Sequence, residues 1–118
     1  MRRRLAAGRP IPEDAPPPPA GIEGAEGLLH HDPVAAYRSL AATIRAAIGD
    51  RYGFPAFALT TAELQRRMEG QGVERWQARL VSGLLEECDA VVYAGYRPAA
   101  ERREHDLTMA REILAGVV

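Results

Sequence analysis

The sequence predicts an all-α fold, a small bundle of about four helices that follows an extended, Pro/Gly-rich N-terminal arm. Apolar residues recur at spacings of three and four along most of the chain after residue 31. Helix start signals precede these stretches. The prolines are concentrated before residue 32, where the chain is too poor in large apolar residues to build a core. We therefore divide the chain into an arm, residues 1–31, and a helical domain, residues 32–118.

Composition bounds the function. The 118 residues suffice for one domain, and the formal net charge is −1. Every basic residue is an arginine, and acidic residues balance them. A protein held to nucleic acid by its phosphates needs a basic face, which this balance disfavours. The single cysteine, Cys88, excludes an internal disulfide and a cysteine-based zinc site.

The sequence shows no recognisable pattern for export or for insertion into a membrane. The chain has no uncharged apolar run near the ~20 residues that a membrane helix needs. Residues 1–8 begin like a signal peptide but are not followed by an apolar segment. The arginines at positions 2–4 would also suit a place at the inner face of a membrane. We expect a cytoplasmic location, with the inner membrane face as the second option.

The arm has two interpretations. Residues 16–19 are all proline, and Gly21, Gly24 and Gly27 follow at regular spacing. This composition is typical of a solvated linker with polyproline character. A run of prolines would also suit an aromatic groove on a partner.

Two helix starts have clear signals. Asp32 followed by Pro33 is typical of an N-cap and first helical position. The Thr60-Thr61-Ala62-Glu63 sequence predicts a capping box, in which Thr60 and Glu63 bond each other's backbone. The first helix would present one apolar stripe and stop before Pro55; the stripe comprises Tyr37, Leu40, Ala41, Ile44, Ile48 and Tyr52. The second would be short and end at residues 70–72.

Two further helices complete the bundle. The third spans residues 73–88, with Trp76, Leu80, Leu84 and Cys88 at four-residue steps. We expect the first three of these side chains to be buried against the stripe of the first helix. Residues 90–93 could extend this helix, but adjacent valines slightly favour an extended segment. The fourth helix begins near Pro98 and presents Leu107, Ala110, Ile113 and Leu114.

No constellation for catalysis, a cofactor or a metal is predicted. His30 and His31 are adjacent and cannot converge from one helix face, so we place them in solvent. Glu86, Glu87 and Asp89 lie on the predicted polar face of the third helix. Cys88 continues the apolar stripe and is expected to be a buried small hydrophobe. We therefore expect no enzyme and no small-molecule substrate.

The candidate partner-binding residues are Tyr93, Tyr96 and Arg97. The segment at residues 90–96 is too apolar for an ordinary surface link and too short to form a core element alone. Part of it must pack inward, and the rest can form a patch. Tyrosine and arginine are enriched among interface hot spots. The alternative is that both tyrosines only seal the end of the bundle.

Two short motifs carry a family resemblance. One is the Leu-Thr-Thr-x-Glu-Leu helix start at residues 59–64, and the other is a Cys-Asp-x-x-x-aromatic-Ala motif at residues 88–94, followed by a Pro-led final helix. Over residues 34–114 the chain thereby resembles the cytoplasmic tail of BatD-type aerotolerance proteins of bacteria. That family carries an exported region and a membrane helix before the tail, and is encoded with MoxR-type ATPases and von Willebrand A proteins. The resemblance implies an interaction module in a membrane-associated complex.

Two functions from different classes follow. The first is a non-catalytic docking module that binds another protein. The alternative is a winged-helix-like DNA-binding domain, in which residues 73–88 are the recognition helix and residues 90–96 the wing. Four acidic residues in and beside that helix, against two arginines, make nucleic acid an unfavourable partner.

Overall fold

The computed structural model describes residues 21–116, and all regular secondary structure in that range is helical. The elements are α1 (Gly21–Leu28), α2 (Pro33–Tyr52), a short 3-10 turn (Ala56–Ala58), α3 (Thr61–Gly70), α4 (Arg75–Tyr93) and α5 (Ala100–Gly116). The predicted all-α class is confirmed for these residues. Helix α2 lies at the centre and contacts α1, α4, α5 and the 3-10 turn. The arm residues 1–20, including the proline run, lie outside the described residues.

Helix α1 corrects the predicted boundary between arm and domain. The Pro/Gly-rich composition predicts an extended arm up to residue 31, with too little apolar surface to bury, yet residues 21–28 form a helix. Ala25 and the following Leu29 are buried in the common core. Two contacts to α5 add to this packing: Arg111 lies 2.7 Å from Glu26, and His30 lies 2.5 Å from Glu104. Tertiary packing therefore outweighs the low helix propensity of this segment.

Helix α2 begins as predicted, and its end is set by a left-handed cap. The Asp32 carboxylate accepts a hydrogen bond from the Ala35 amide at 3.2 Å, and Pro33 is the first helical residue. At the other end Gly53 adopts a φ of 74° and donates to the Gly49 carbonyl. The predicted stripe is the centre of the core: Tyr37, Leu40, Ile44 and Ile48 are fully buried.

The capping box of α3 is present in both directions. Glu63 donates its backbone N–H to the Thr60 hydroxyl at 3.1 Å, and the Thr60 N–H donates to the Glu63 carboxylate at 2.9 Å. The pKa of Glu63 is lowered by these contacts, chiefly by the hydrogen bond from the Thr60 backbone and secondly by the Thr60 side chain. Helix α3 then packs on α4 through buried Leu64 and Met68.

Helix α4 is longer than predicted and buries a different face. Residues 90–93 continue the helix rather than forming an extended segment. Trp76 is 61% exposed and Leu80 is 39% exposed, so the predicted burial of these two side chains is wrong, although Leu84 and Cys88 are buried. A four-residue step overshoots a helical turn by about 40°, so a strict four-residue series drifts around the helix. A mixture of three- and four-residue steps stays on the inward face of the helix. The buried residues in this series are Ala78, Val81, Leu85, Cys88 and Val91.

Helix α5 follows a turn at Gly95, whose φ is 78°. The side chains predicted to face the core do so: Leu107, Ala110 and Ile113 are buried, and Leu114 packs partly buried against them. Asp106 is also buried, at 2% exposure, between these apolar positions. A buried carboxyl group in a helix interface needs polar partners, and those partners form a site described below.

Candidate interaction groove

The three predicted contact residues occupy the end of α4 but do not form one patch. Tyr93 is 81% exposed and Tyr96 is 44% exposed. Arg97 is engaged with the backbone: its Nη1 donates to the Val91 carbonyl at 3.0 Å and to the Tyr96 carbonyl at 2.9 Å. The Tyr96 amide bonds the Ala90 carbonyl at 3.1 Å. Arg97 therefore caps the C-terminus of α4, where a cation is favoured.

Tyr93 lines an open groove of about 300 Å³. The groove lies between α2 and the last turns of α4 and is closed at one end by the 3-10 turn. Its floor is apolar and shallow, because alanines at positions 41 and 42 leave room above α2. The lining residues are Arg38, Ala41, Ala42, Arg45, Phe57, Leu59, Asp89, Val92 and Tyr93. Tyr96 and Arg97 are not among them.

Phe57 is the groove residue that sequence reasoning missed. It is 66% exposed and lies on the 3-10 turn. Arg45 of α2 holds that turn, since its Nη1 donates to the Ala56 carbonyl at 2.7 Å and to the Leu59 carbonyl at 2.8 Å. One signal for it exists in the sequence, a phenylalanine in a Pro-Ala-Phe-Ala stretch that belongs to neither of the flanking helix patterns. The exposed ring is therefore presented on a fixed backbone.

Opposite charges border this groove without being paired to other described residues. Arg38 and Asp89 are both exposed. Neither forms an ion pair within residues 21–116. The groove thus combines two exposed aromatic rings with an arginine and an aspartate that form no ion pair among residues 21–116. That combination suits a polypeptide segment with both apolar and charged groups.

A second cluster of polar residues lies in the interface of α2, α4 and α5. The Tyr37 hydroxyl donates to Asp106 Oδ2 at 2.6 Å. Arg102 forms a bidentate pair with Glu87, at 3.0 Å from Nε to Oε2 and 2.6 Å from Nη2 to Oε1. Its Nε also lies 3.3 Å from Asp106 Oδ1. The Arg102 guanidinium therefore contacts both carboxyl groups.

The two carboxyl groups of this cluster have opposite pKa shifts. Burial, reinforced by the hydrogen bond to Glu87, raises the pKa of Asp106 to about 7, against the opposing effects of Tyr37 and Arg102. Burial would also raise the pKa of Glu87, but hydrogen bonds from Arg102 and Asp106 outweigh it and lower that pKa. Of the two groups, Asp106 therefore keeps a proton to higher pH, and Glu87 is the anionic partner of Arg102. The prediction that Glu87 lies on a solvated face is wrong, since its side chain is only 11% exposed.

Cys88 is buried, as expected for a small hydrophobe. Burial raises the pKa of its thiol, and the nearby acidic groups of Asp106, Asp89 and Glu87 reinforce the shift. The thiol therefore stays protonated at neutral pH, which opposes nucleophilic chemistry. Within residues 21–116, no three histidine, cysteine or acidic side chains are grouped to hold a metal ion.

A smaller apolar surface lies on the opposite end of α4. Trp76 and Leu80 border a shallow depression with Met109 and Ile113 of α5. Trp76 is about as exposed as Phe57, but it lies on a different part of the surface. It provides a natural comparison for substitutions in the groove.

Comparison of the chain with protein-family models, with curated proteins and with solved structures gives no match. None of the described helices has the length and apolarity to cross a membrane. The wing required by the DNA-binding alternative is not formed by residues 90–96, since they are the last turn of α4 and the capped turn after it.

Proposed function

We propose that this chain is a non-catalytic docking domain that binds a segment of another protein in the groove between Phe57 and Tyr93. The observation that carries the proposal is the exposure of both rings on backbones that are held in place. Arg45 fixes the turn that carries Phe57, and Arg97 caps the helix that carries Tyr93. Because the backbones that carry the rings are already ordered, binding costs only the ordering of the side chains.

The charge pattern supports a protein ligand over DNA. The groove carries Arg38 and Arg45 beside Asp89, and Arg45 is already bonded to the carbonyls of the 3-10 turn, whereas a phosphate backbone would require several available cations. We assign Tyr93 a direct contact and place Tyr96 at the rim. Arg97 acts by capping α4 and thereby positions both tyrosines. No described feature favours DNA binding through α4. We therefore do not propose it, and the experiment below checks for it.

The resemblance to BatD-type tails fits this proposal. If it reflects common descent, the partner belongs to a membrane-associated bacterial complex, and the domain works on the cytoplasmic side of that membrane. The cytoplasmic location is part of the proposal.

The proposal is tested by capture with the immobilised full chain from a lysate of the organism that encodes it, with quantification by mass spectrometry. Phe57→Ala and Tyr93→Ala should each reduce the bound partner by at least about tenfold, as expected of hot-spot residues. Trp76→Ala removes an equally exposed aromatic ring elsewhere and should leave capture unchanged. Circular dichroism verifies that each variant is folded.

If the Phe57 and Tyr93 variants capture as much partner as the unaltered chain, the assignment of the groove is refuted. Salt-sensitive binding of DNA by the intact chain, abolished by changes in α4, would refute the docking function itself.

A further inference from the structure

We propose that the outward face of α4 is a self-association surface, on which α4 of a second copy of this chain packs antiparallel across Gly83. The residues that form this face, the α4 ridge, are Trp76, Arg79, Gly83, Glu86 and Ala90. All but Ala90 are exposed, and Ala90 is half-buried. They follow one another at steps of three, four, three and four residues, which is the spacing of a seam between two packed helices. The ridge shares no residue with the docking groove, so this inference is independent of the proposed function.

Gly83 lies near the middle of α4, where glycine is among the residues that most weaken a helix. The fold of a single chain does not require glycine here. A Cβ atom at this position would meet no atom of the described residues within 4 Å beyond its immediate helical surroundings. A helix position without a side chain lets another backbone approach closely. Gly83 is therefore the point on the ridge where a second helix can cross α4 at short distance.

Opposite charges flank Gly83 on the ridge. Arg79 lies one helical turn before the glycine, and Glu86 lies one turn after it. Both side chains are exposed, and neither forms an ion pair within residues 21–116, although the Glu86 carboxylate accepts a hydrogen bond from the Thr61 hydroxyl at 3.3 Å. In an antiparallel pair with twofold symmetry, Arg79 of each copy faces Glu86 of the other, so this ion pair forms twice. Parallel packing would instead bring like charges together, which is repulsive.

The two ends of the ridge match in size. Trp76 lies two turns before Gly83 and Ala90 lies two turns after it, so an antiparallel copy places each indole ring over the alanine of the other copy. Trp76 is 61% exposed, and Leu80 beside it is 39% exposed. A second copy removes this apolar surface from water, and tryptophan is enriched among interface hot spots.

A second copy is the occupant that this pattern identifies. The ridge is complementary to itself when it is inverted about Gly83, because arginine then meets glutamate, tryptophan meets alanine and glycine meets glycine. The formal net charge of −1 adds little repulsion between copies. A single helix face buries less than the roughly 1,600 Å² of a standard interface, so we expect a reversible dimer with a Kd of about 10–100 μM.

The experiment measures the mass of the full chain by sedimentation equilibrium from about 1 to about 500 μM, a range that brackets the expected Kd. The mass should rise from that of a monomer to that of a dimer, and the emission of Trp76 should shift to the blue over the same range.

Variants with reversed charge test the antiparallel arrangement. Arg79→Glu and Glu86→Arg should each weaken association by at least about fivefold, because each replaces two attractive pairs with repulsive ones. An equimolar mixture of the two variants should restore association, since one copy is then acidic at both positions and the other is basic at both. Arg38→Glu makes the same change of charge in the docking groove and should have no effect.

Gly83→Gln tests the close crossing of the two helices. Glutamine favours a helix more than glycine does, and its Cβ has free space at this position in a single chain. The dilute variant should therefore melt at the same temperature as the unaltered chain or higher. It should nevertheless associate at least about tenfold more weakly, because the added side chain keeps the two backbones apart.

A chain that stays monomeric over the whole range overturns the inference. Association that survives in Gly83→Gln, or that weakens equally with Arg38→Glu, also overturns it. Association that is lost in Phe57→Ala and unaffected by the ridge variants would place the contact in the docking groove, with the same consequence. Circular dichroism verifies the fold of each variant. Since Phe57 and Tyr93 lie outside the ridge, a failure of partner capture in their variants is a separate result that leaves the dimer unaffected.

Discussion

Replacing Asp106 with asparagine should remove a pH dependence of stability that originates in one buried proton. The pKa of Asp106 is raised from 3.8 to about 7 in the folded chain. Between these two values the folded chain holds the proton, whereas the unfolded chain has released it. The stabilisation is therefore fully present below about pH 4 and is lost as the pH rises through 7.

The size of this effect follows from the same two pKa values. Each pKa unit corresponds to about 1.4 kcal/mol. Between pH 5 and pH 8 the linkage amounts to about 2–3 kcal/mol, a large part of the stability of a small domain. The lowered pKa of Glu87 acts in the opposite direction, but its effect falls below pH 5, outside this window. The free energy of unfolding should therefore fall by about 2–3 kcal/mol from pH 5 to pH 8 through Asp106 alone.

The Asp106→Asn variant is the matched control because an amide imitates the protonated carboxyl group. Its carbonyl can accept from Tyr37 while its NH₂ group donates to Glu87, which stays paired with Arg102. Urea unfolding followed by circular dichroism at several pH values gives the two profiles. We expect similar stability at pH 5 and a more stable variant at pH 8. Parallel profiles, or a variant less stable at pH 8, would show that Asp106 is ionised throughout and refute the reasoning.

The remaining predictions concern the capping box and the core. Thr60→Ala should lower the free energy of unfolding by about 0.5–2 kcal/mol, and Glu63→Ala should be less than additive with it because both serve one box; full additivity in a double-mutant cycle would contradict the reciprocal bonds. Leu85→Ala should destabilise by about 2–5 kcal/mol, since this side chain is 1% exposed. Leu80→Ala, on the exposed side of α4, should cost much less, and an equal loss in thermal unfolding would contradict the observed burial.

Local signals in the sequence were sufficient for some elements. The start of α2 at Asp32 and the capping box at Thr60 depend on hydrogen bonds within four residues, so the sequence pattern contains all the partners. Helix α1 was missed because its stability comes from α2 and α5 rather than from its own glycine-containing sequence. The inward face of α4 was misjudged where Trp76 and Leu80 suggested a stripe at uniform spacing.

The candidate groove was predictable only in part. Tyr93 could be proposed from residue type and its place at a helix end. Its neighbours could not, because Phe57 reaches the groove through the hydrogen bonds of Arg45 to a turn more than ten residues away. The Asp106 cluster was hidden for a similar reason. Its hydrogen bond joins residues 37 and 106, and no local pattern distinguishes that aspartate from the charged residues around it.

The exposure of Trp76 determines what the intrinsic fluorescence of this protein reports. It is the single tryptophan of the chain, and its side chain is largely in water before unfolding begins. Its emission maximum should therefore lie at long wavelength in the native state and change little when the helices melt. The same residue is a sensitive reporter for the surface around it, since any molecule that covers the ring would shift the emission toward the blue. Tryptophan fluorescence would then register binding at one end of α4 while remaining nearly blind to folding.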